Sequence, residues 1–329
     1  MKKLLTLIIV YPLAALLSLR LGAVLAGLPT IAAFFSGVHP VLVVATLATG
    51  FALTSYLLGV VTNDFSWVDR LWSTAPIAFA WVYAVRSGIR PSVVLAALLV
   101  TVWGLRLTYN FARRGGYTTM EDYRWPILRE RINNPVLWQL FNLLFISSYQ
   151  IGLFILFTLP VHRLSTLPGL VSPVTMLVAA ALFLAFLVYE TVADQQQWTF
   201  QNLKHGAERP GDLPRFFGDD RGARRENLDS DIARGFLTHG LFRYSRHPNY
   251  FGELMVWWTL FIYGVAAGGG LIDVAGLGVV LLTLLFVGST RFTESITASR
   301  YPEYSRYQAT TSAIVPWAPG SPEPQEQVE

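Results

Sequence analysis

The sequence predicts an all-α fold: a polytopic membrane helix bundle. Two observations predict it. Mean hydropathy is +0.44, with 53% of residues hydrophobic and only 14% charged, where an average soluble domain carries about 25% charged residues. Apolar stretches near the roughly 20 residues that a helix needs to cross a hydrocarbon core recur along the chain.

Eight spans follow in order: Leu4–Gly27, Val41–Val61, Leu71–Val85, Ser92–Phe111, Leu137–Leu159, Val174–Ala193, Tyr250–Ala267 and Leu271–Val287. The third is short. The first begins after Lys2-Lys3 and ends near small residues at Ala23–Ala26, as a signal peptide does. Its length and Arg20 favour a retained span. With the N-terminus inside, twenty Lys and Arg residues fall on inner segments and three, Arg86, Arg90 and Arg163, on outer loops. This asymmetry obeys the positive-inside rule. It places both termini, and every polar motif below, on the cytoplasmic side of a cell membrane. One face holding them all suggests one site.

Residues 1–40 form an extra N-terminal span and loop, residues 41–316 the main domain, and 317–329 a Pro- and Glu-rich disordered tail. Residues 201–242 read as a large cytoplasmic loop with a short helix around Leu228–Arg234, because no strand alternation there is long enough for a domain. The chain has no cysteine, which excludes disulfides. The net charge of +4 is small and speaks to topology rather than nucleic acid. No Gly-x-Gly-x-x-Gly or P-loop pattern is present, and no metal is expected.

Five polar constellations interrupt the apolar pattern. The loop Asn63–Ser73 carries Asp64, Asp69, Arg70 and two tryptophans. It fits an interfacial anchor; it equally fits an acid whose raised pKa lets it polarise a carbonyl. Next, Arg106, Asn110, Arg113 and Arg114 share one helical face that descends to membrane depth, followed by Glu121-Asp122-Tyr123-Arg124-Trp125. Guanidinium forks suit phosphates, so a phosphorylated cofactor beside a greasy co-substrate is one reading and ordinary inner-face charge is the other. Glu190, Asp194 and Trp198 (or Gln197) lie about four apart on one face; they fit a helix that leaves the membrane and turns polar, and they fit a carboxylate and aromatic neighbour that hold a ribose and a nicotinamide or adenine ring. In Arg243–Glu253, His247-Pro248 opens a helix bearing Asn249, Tyr250 and Glu253, with Arg243 and Arg246 at its mouth. Such a helix start offers N–H groups to an anion. Ionisable groups at this depth are costly and mark function. Last come Arg291, Glu294 and Arg300–Tyr304, weak alone.

The stretches Arg-x-x-His-Pro-Asn-Tyr-x-Gly-Glu, Asp-x-Ser-Trp-Val-Asp-Arg-x-Trp-Ser and Glu-Asp-Tyr-Arg-Trp together resemble the bacterial membrane proteins grouped with the steroid 5α-reductase family, over about Val41–Pro316. The resemblance implies a seven-span enzyme that uses NADPH to reduce the C=C of a lipophilic enone, preceded here by the extra span. It implies NADPH-binding roles for Arg106, Arg114, Asp194, Asn249 and Glu253, with Glu190 where the family often has Asn. Asn110, Asp122, Arg124, Trp198, Arg243, Arg246, His247, Tyr250, Glu294 and Tyr304 complete the expected cofactor set. The carbonyl-binding acid falls on Asp69, with Asp64 beside it. Trp103 stands where the family has a tyrosine, and an indole offers only an N–H donor. His-Pro-x-Tyr is shared with S-adenosylmethionine-dependent lipid and isoprenyl methyltransferases, which are the alternative. Against them stands the arginine stripe, since a methyl donor without phosphate does not need it. Membrane lipids and a lipophilic small molecule are the expected partners of a monomer, with no nucleic acid.

Overall fold

The computed structural model describes residues 2–27, 36–118, 121–208, 211, 215–217 and 220–320, and every regular element among them is helical. In order these are α1 (Lys2–Leu25), α2 (Pro40–Thr62), α3 (Ala75–Arg86), α4 (Pro91–Arg113), α5 (Arg124–Ile132) and α6 (Pro135–Phe141). A π-helical stretch, Asn142–Tyr149, joins α6 to α7 (Gln150–Thr166). Then follow α8 (Pro173–Lys204), α9 (Arg221–Arg234), α10 (Pro248–Ala266), α11 (Val274–Arg300) and α12 (Tyr304–Thr310). Five of these open on a proline, at Pro40, Pro91, Pro135, Pro173 and Pro248. Proline suits a first turn because its missing N–H would have no intrahelical acceptor there.

Among the described residues, five helical stretches are long and apolar enough to cross a membrane: Pro40–Thr62, Pro91–Arg113, Pro135–Thr166, Pro173–Lys204 and Val274–Arg300. This is the signature of a multi-pass membrane protein. Of the other expected spans, the first contains a shorter apolar helix, Ile8–Val24, and the third is α3 alone, 12 residues. At 1.5 Å per residue, α3 reaches about 18 Å of a core about 30 Å thick. It starts at Ala75 rather than Leu71 because Asp69–Leu71 is wound into a 3₁₀ turn that buries Arg70. The seventh expected span falls on α10, 19 residues long, which is not among the five. The expected tail falls mostly in 321–329, outside the described residues.

The chain divides into two compact units: residues 1–180 with 259–281, and residues 181–258 with 282–329. In the first, α1 meets α2 through the Tyr11 hydroxyl, 2.8 Å from Ser55 Oγ, and through Tyr11 set edge-on to Phe51. Phe51 stacks on Phe79 of α3. The Trp81 indole of α3 donates to Thr101 of α4 at 3.0 Å. Arg90 donates to the Ser165 and Leu167 carbonyls, closing the C-terminal end of α7. In α11, Gly278 faces the Leu156 backbone so closely that a Cβ has no room.

The second unit has an aromatic-aliphatic core of Phe200, Leu203, Phe217, Leu228, Leu237 and Phe242. Here α9 begins at Arg221, seven residues before the short helix expected at Leu228. Asp220 caps it, accepting from Ala223 N at 2.7 Å. Fully buried Asp231 accepts from Arg234, Thr238 and His239, which fastens the chain leaving α9. A second cluster joins Phe236 to Tyr304 and Tyr307.

Candidate functional site

In the first unit two loops clasp each other. Arg70, wholly buried, donates to Asp64 Oδ2 and to the Gly116 carbonyl, each at 3.0 Å, and lies over the Trp67 ring. Glu121 accepts the Phe65 N–H at 2.9 Å, and Ser66 Oγ accepts the Asp122 N–H at 2.8 Å. Asp122 and Arg124 pair at 2.8 Å. The Trp125 indole donates to Asp69 Oδ2 at 2.9 Å. Burial pushes Asp69 up to about 6; the neighbouring Asp122 raises it further, while Arg124 and hydrogen bonds from Trp125 and Ser66 hold it down.

On α4, Trp103 is wholly buried, Arg106 is partly buried, and buried Asn110 accepts from both the Nε and Nη2 of Arg113. Arg114 follows the helix end and is exposed.

The second unit holds the remaining candidates. Glu190 and Asp194 are buried on α8, one turn apart, with Trp198 partly buried a turn further on. Asn249 at the start of α10 donates to Asp194 Oδ1 at 3.2 Å. Gly252 lies against Glu190: a Cβ there would sit 2.6 Å from Glu190 Cβ. Glu253 is buried and accepts from the Trp257 indole at 3.0 Å. Two helices thus bring buried Glu190, Asp194 and Glu253 and partly buried Asn249 into one polar seam.

Around the turn before α10, Glu294 of α11 gathers the basic residues. Its two oxygens accept from Arg246 Nε at 2.6 Å and Nη2 at 3.0 Å, and Oε1 meets His247 Nε2 at 3.0 Å. Gln308 donates to it at 2.9 Å and Tyr304 at 3.4 Å. The His247 ring stacks on Tyr250, which meets Phe286 edge-on. Arg243 is exposed. Weak in isolation, Glu294 and Tyr304 are thus joined to the Arg246-His247 pair.

Sequence reasoning passed over Ser66, Arg70 as a buried partner, Trp125, Gln308 and the Gly252–Glu190 contact. Arg70 stands six residues from Asp64, a spacing that pairs on no regular helix. Gln308 gives no local signal.

Long apolar helices, with every regular element among the described residues helical, define a multi-pass membrane protein. The chain belongs to the family described as protein of unknown function DUF1295, whose model matches residues 55–311. It is 33% identical over 297 residues to an uncharacterized protein of Schizosaccharomyces pombe, C594.04c, covering 88% of this chain and 83% of that one. No solved structure shows a significant match.

Proposed function

We propose that the protein is an NADPH-dependent membrane reductase acting on the C=C bond of a lipophilic enone, steroid- or isoprenoid-like, as its resemblance to the steroid 5α-reductase family implies. The observation that carries the reading is the polar seam of Glu190, Asp194, Asn249 and Glu253. Three carboxylates buried on largely apolar helices are uncommon, and ionisable groups at that depth point to a functional site. Carboxylates and a carboxamide suit ribose hydroxyls and a nicotinamide amide. Arg246 fits a phosphate less well, because Glu294 and backbone carbonyls already engage its guanidinium. Exposed Arg243, in the same unit as the seam, is the cationic group the reading assigns to a phosphate.

When bound, NADPH supplies a hydride, which the reading sends to the β-carbon while a proton reaches the α-carbon. Asp69 is the residue assigned to the substrate carbonyl: titrating near 6, it can donate a hydrogen bond as an acid. The reading includes eight spans, cytoplasmic termini and a bacterial inner membrane.

Thermal shift in detergent tests it. Stabilisation by NADPH, above that by NADH, is expected; stabilisation by S-adenosylmethionine alone would sink the reductase and favour the methyltransferase. Asn249→Ala and Glu253→Gln should each weaken NADPH binding about tenfold, the worth of one buried hydrogen bond to a ligand. Asp69→Asn should leave that affinity unchanged and slow NADPH oxidation on a lipophilic enone. Equal affinity in all three variants and the wild type would count against the seam.

A further inference from the structure

The segment after α12 runs back along the His-Pro turn. The backbone N–H groups of Arg246 and His247 donate to the Ser312 and Ala313 carbonyls at 2.8 and 3.0 Å. The Trp317 N–H donates to the Tyr244 carbonyl at 2.9 Å, and Ser245 Oγ, itself buried, donates to the Ile314 carbonyl at 2.7 Å. Side chains bind the same two stretches. Arg246 Nη1 donates to the Gln308 carbonyl at 2.9 Å and to that of Thr311. Tyr307 OH donates to the Phe242 carbonyl. Residues 308–317 thus form a strap against residues 242–247.

One carboxylate ties the assembly to a long helix. Glu294 is 6% exposed and engages Arg246, His247, Gln308 and Tyr304 together. A carboxylate at His247 Nε2 requires a proton on that nitrogen, so in the neutral ring Nδ1 is the acceptor. Arg246, with three of its nitrogens donating to Glu294 and to strap carbonyls, is a strut.

We propose that Glu294 is the positioning residue of the candidate site: by clamping Arg246 and the strap it sets the ring of His247 and the start of α10, and so the place of Asn249. The ligand part of this rests on the NADPH reading; the strap part does not. Residues 308–317 become a working part of the site. Glu294 acts through its neighbours and is not itself assigned a contact with ligand.

The test uses the full chain in detergent with Glu294→Gln and Glu294→Asp, whose near-native shape preserves the packing. Two quantities are read: the rate of tryptic cleavage after exposed Arg306 on α12, which reports release of the strap, and the NADPH dissociation constant from tryptophan quenching. Glu294→Gln should raise the cleavage rate and the dissociation constant at least tenfold each. Glu294→Asp, which keeps the charge, should restore most of both. Unchanged cleavage overturns the clamp. Faster cleavage with unchanged affinity overturns the positioning role and leaves a merely structural strap. If the wild type binds S-adenosylmethionine instead of NADPH, the reductase reading falls while the clamp is judged with that ligand. If it binds neither, the positioning role falls too.

Discussion

At the scale of single residues, the acids of the 63–70 loop differ in what surrounds them. Asp64 has the buried guanidinium of Arg70 at 3.0 Å. Asp69 has an indole and a second carboxylate nearby, and is raised to about 6. A carboxyl raised above its unfolded value, about 3.9, stabilises the fold only below that value and loses the contribution as pH rises through 6. Asp69→Asn should therefore melt at the wild-type temperature near pH 4 and higher at pH 8. The gain should be no more than about 3 kcal/mol, from roughly 1.4 kcal/mol per unit. Equal melting temperatures at pH 8 would remove the case for a neutral acid there. Arg70→Met should do the reverse at neutral pH, costing about 3–5 kcal/mol by leaving Asp64 buried without its counter-charge.

At the scale of elements, the apolar spans were legible because hydropathy integrates over twenty residues and tolerates local error. Ends were less legible. At α8, Asp194, Gln195 and Gln196 look like an exit from the membrane, yet the helix continues to Lys204. Its polar turns are buried in the second unit, where Gln196 accepts the Leu241 N–H at 3.0 Å and Asp194 receives Asn249. The start of α9 was missed because its cap, Asp220, lies in a run of Gly, Asp and Arg that reads as loop. Asp220→Ala should cost about 1 kcal/mol, measured as a lower melting temperature with the fold retained. Helix contacts made by absent side chains give no sequence signal either. Gly252→Ala should push α10 off Glu190 at a cost that outweighs the roughly 1 kcal/mol that helix propensity gains from alanine. A melting temperature at or above wild type would show that the two helices do not need this closeness.

At the scale of the whole molecule, composition alone points to a membrane protein, and the long apolar helices agree. The candidate residues were found by depth: a carboxylate among apolar residues stands out whatever its partners. The partners were not legible because they come from elsewhere in the chain, as with Glu294, 48 residues from Arg246. The crossing of α3 is the sharpest topological question. If α3 crosses, a reporter inserted at Gly88 sits on the opposite side of the membrane from one at Asn63; if it does not, the two sit on the same side.

The pairing of residues 244–247 with 312–317 has a consequence in time. A ribosome delivers Arg246 and His247 some 65 residues before the carbonyls that hold their amides. The intervening chain includes the whole of α11, which must enter the bilayer first. The His-Pro turn therefore settles only after residues 312–317 have been made, and the proposed site at the start of α10 settles with it. A message truncated shortly after α11 would yield an inserted protein with its helices in place and its turn unfastened.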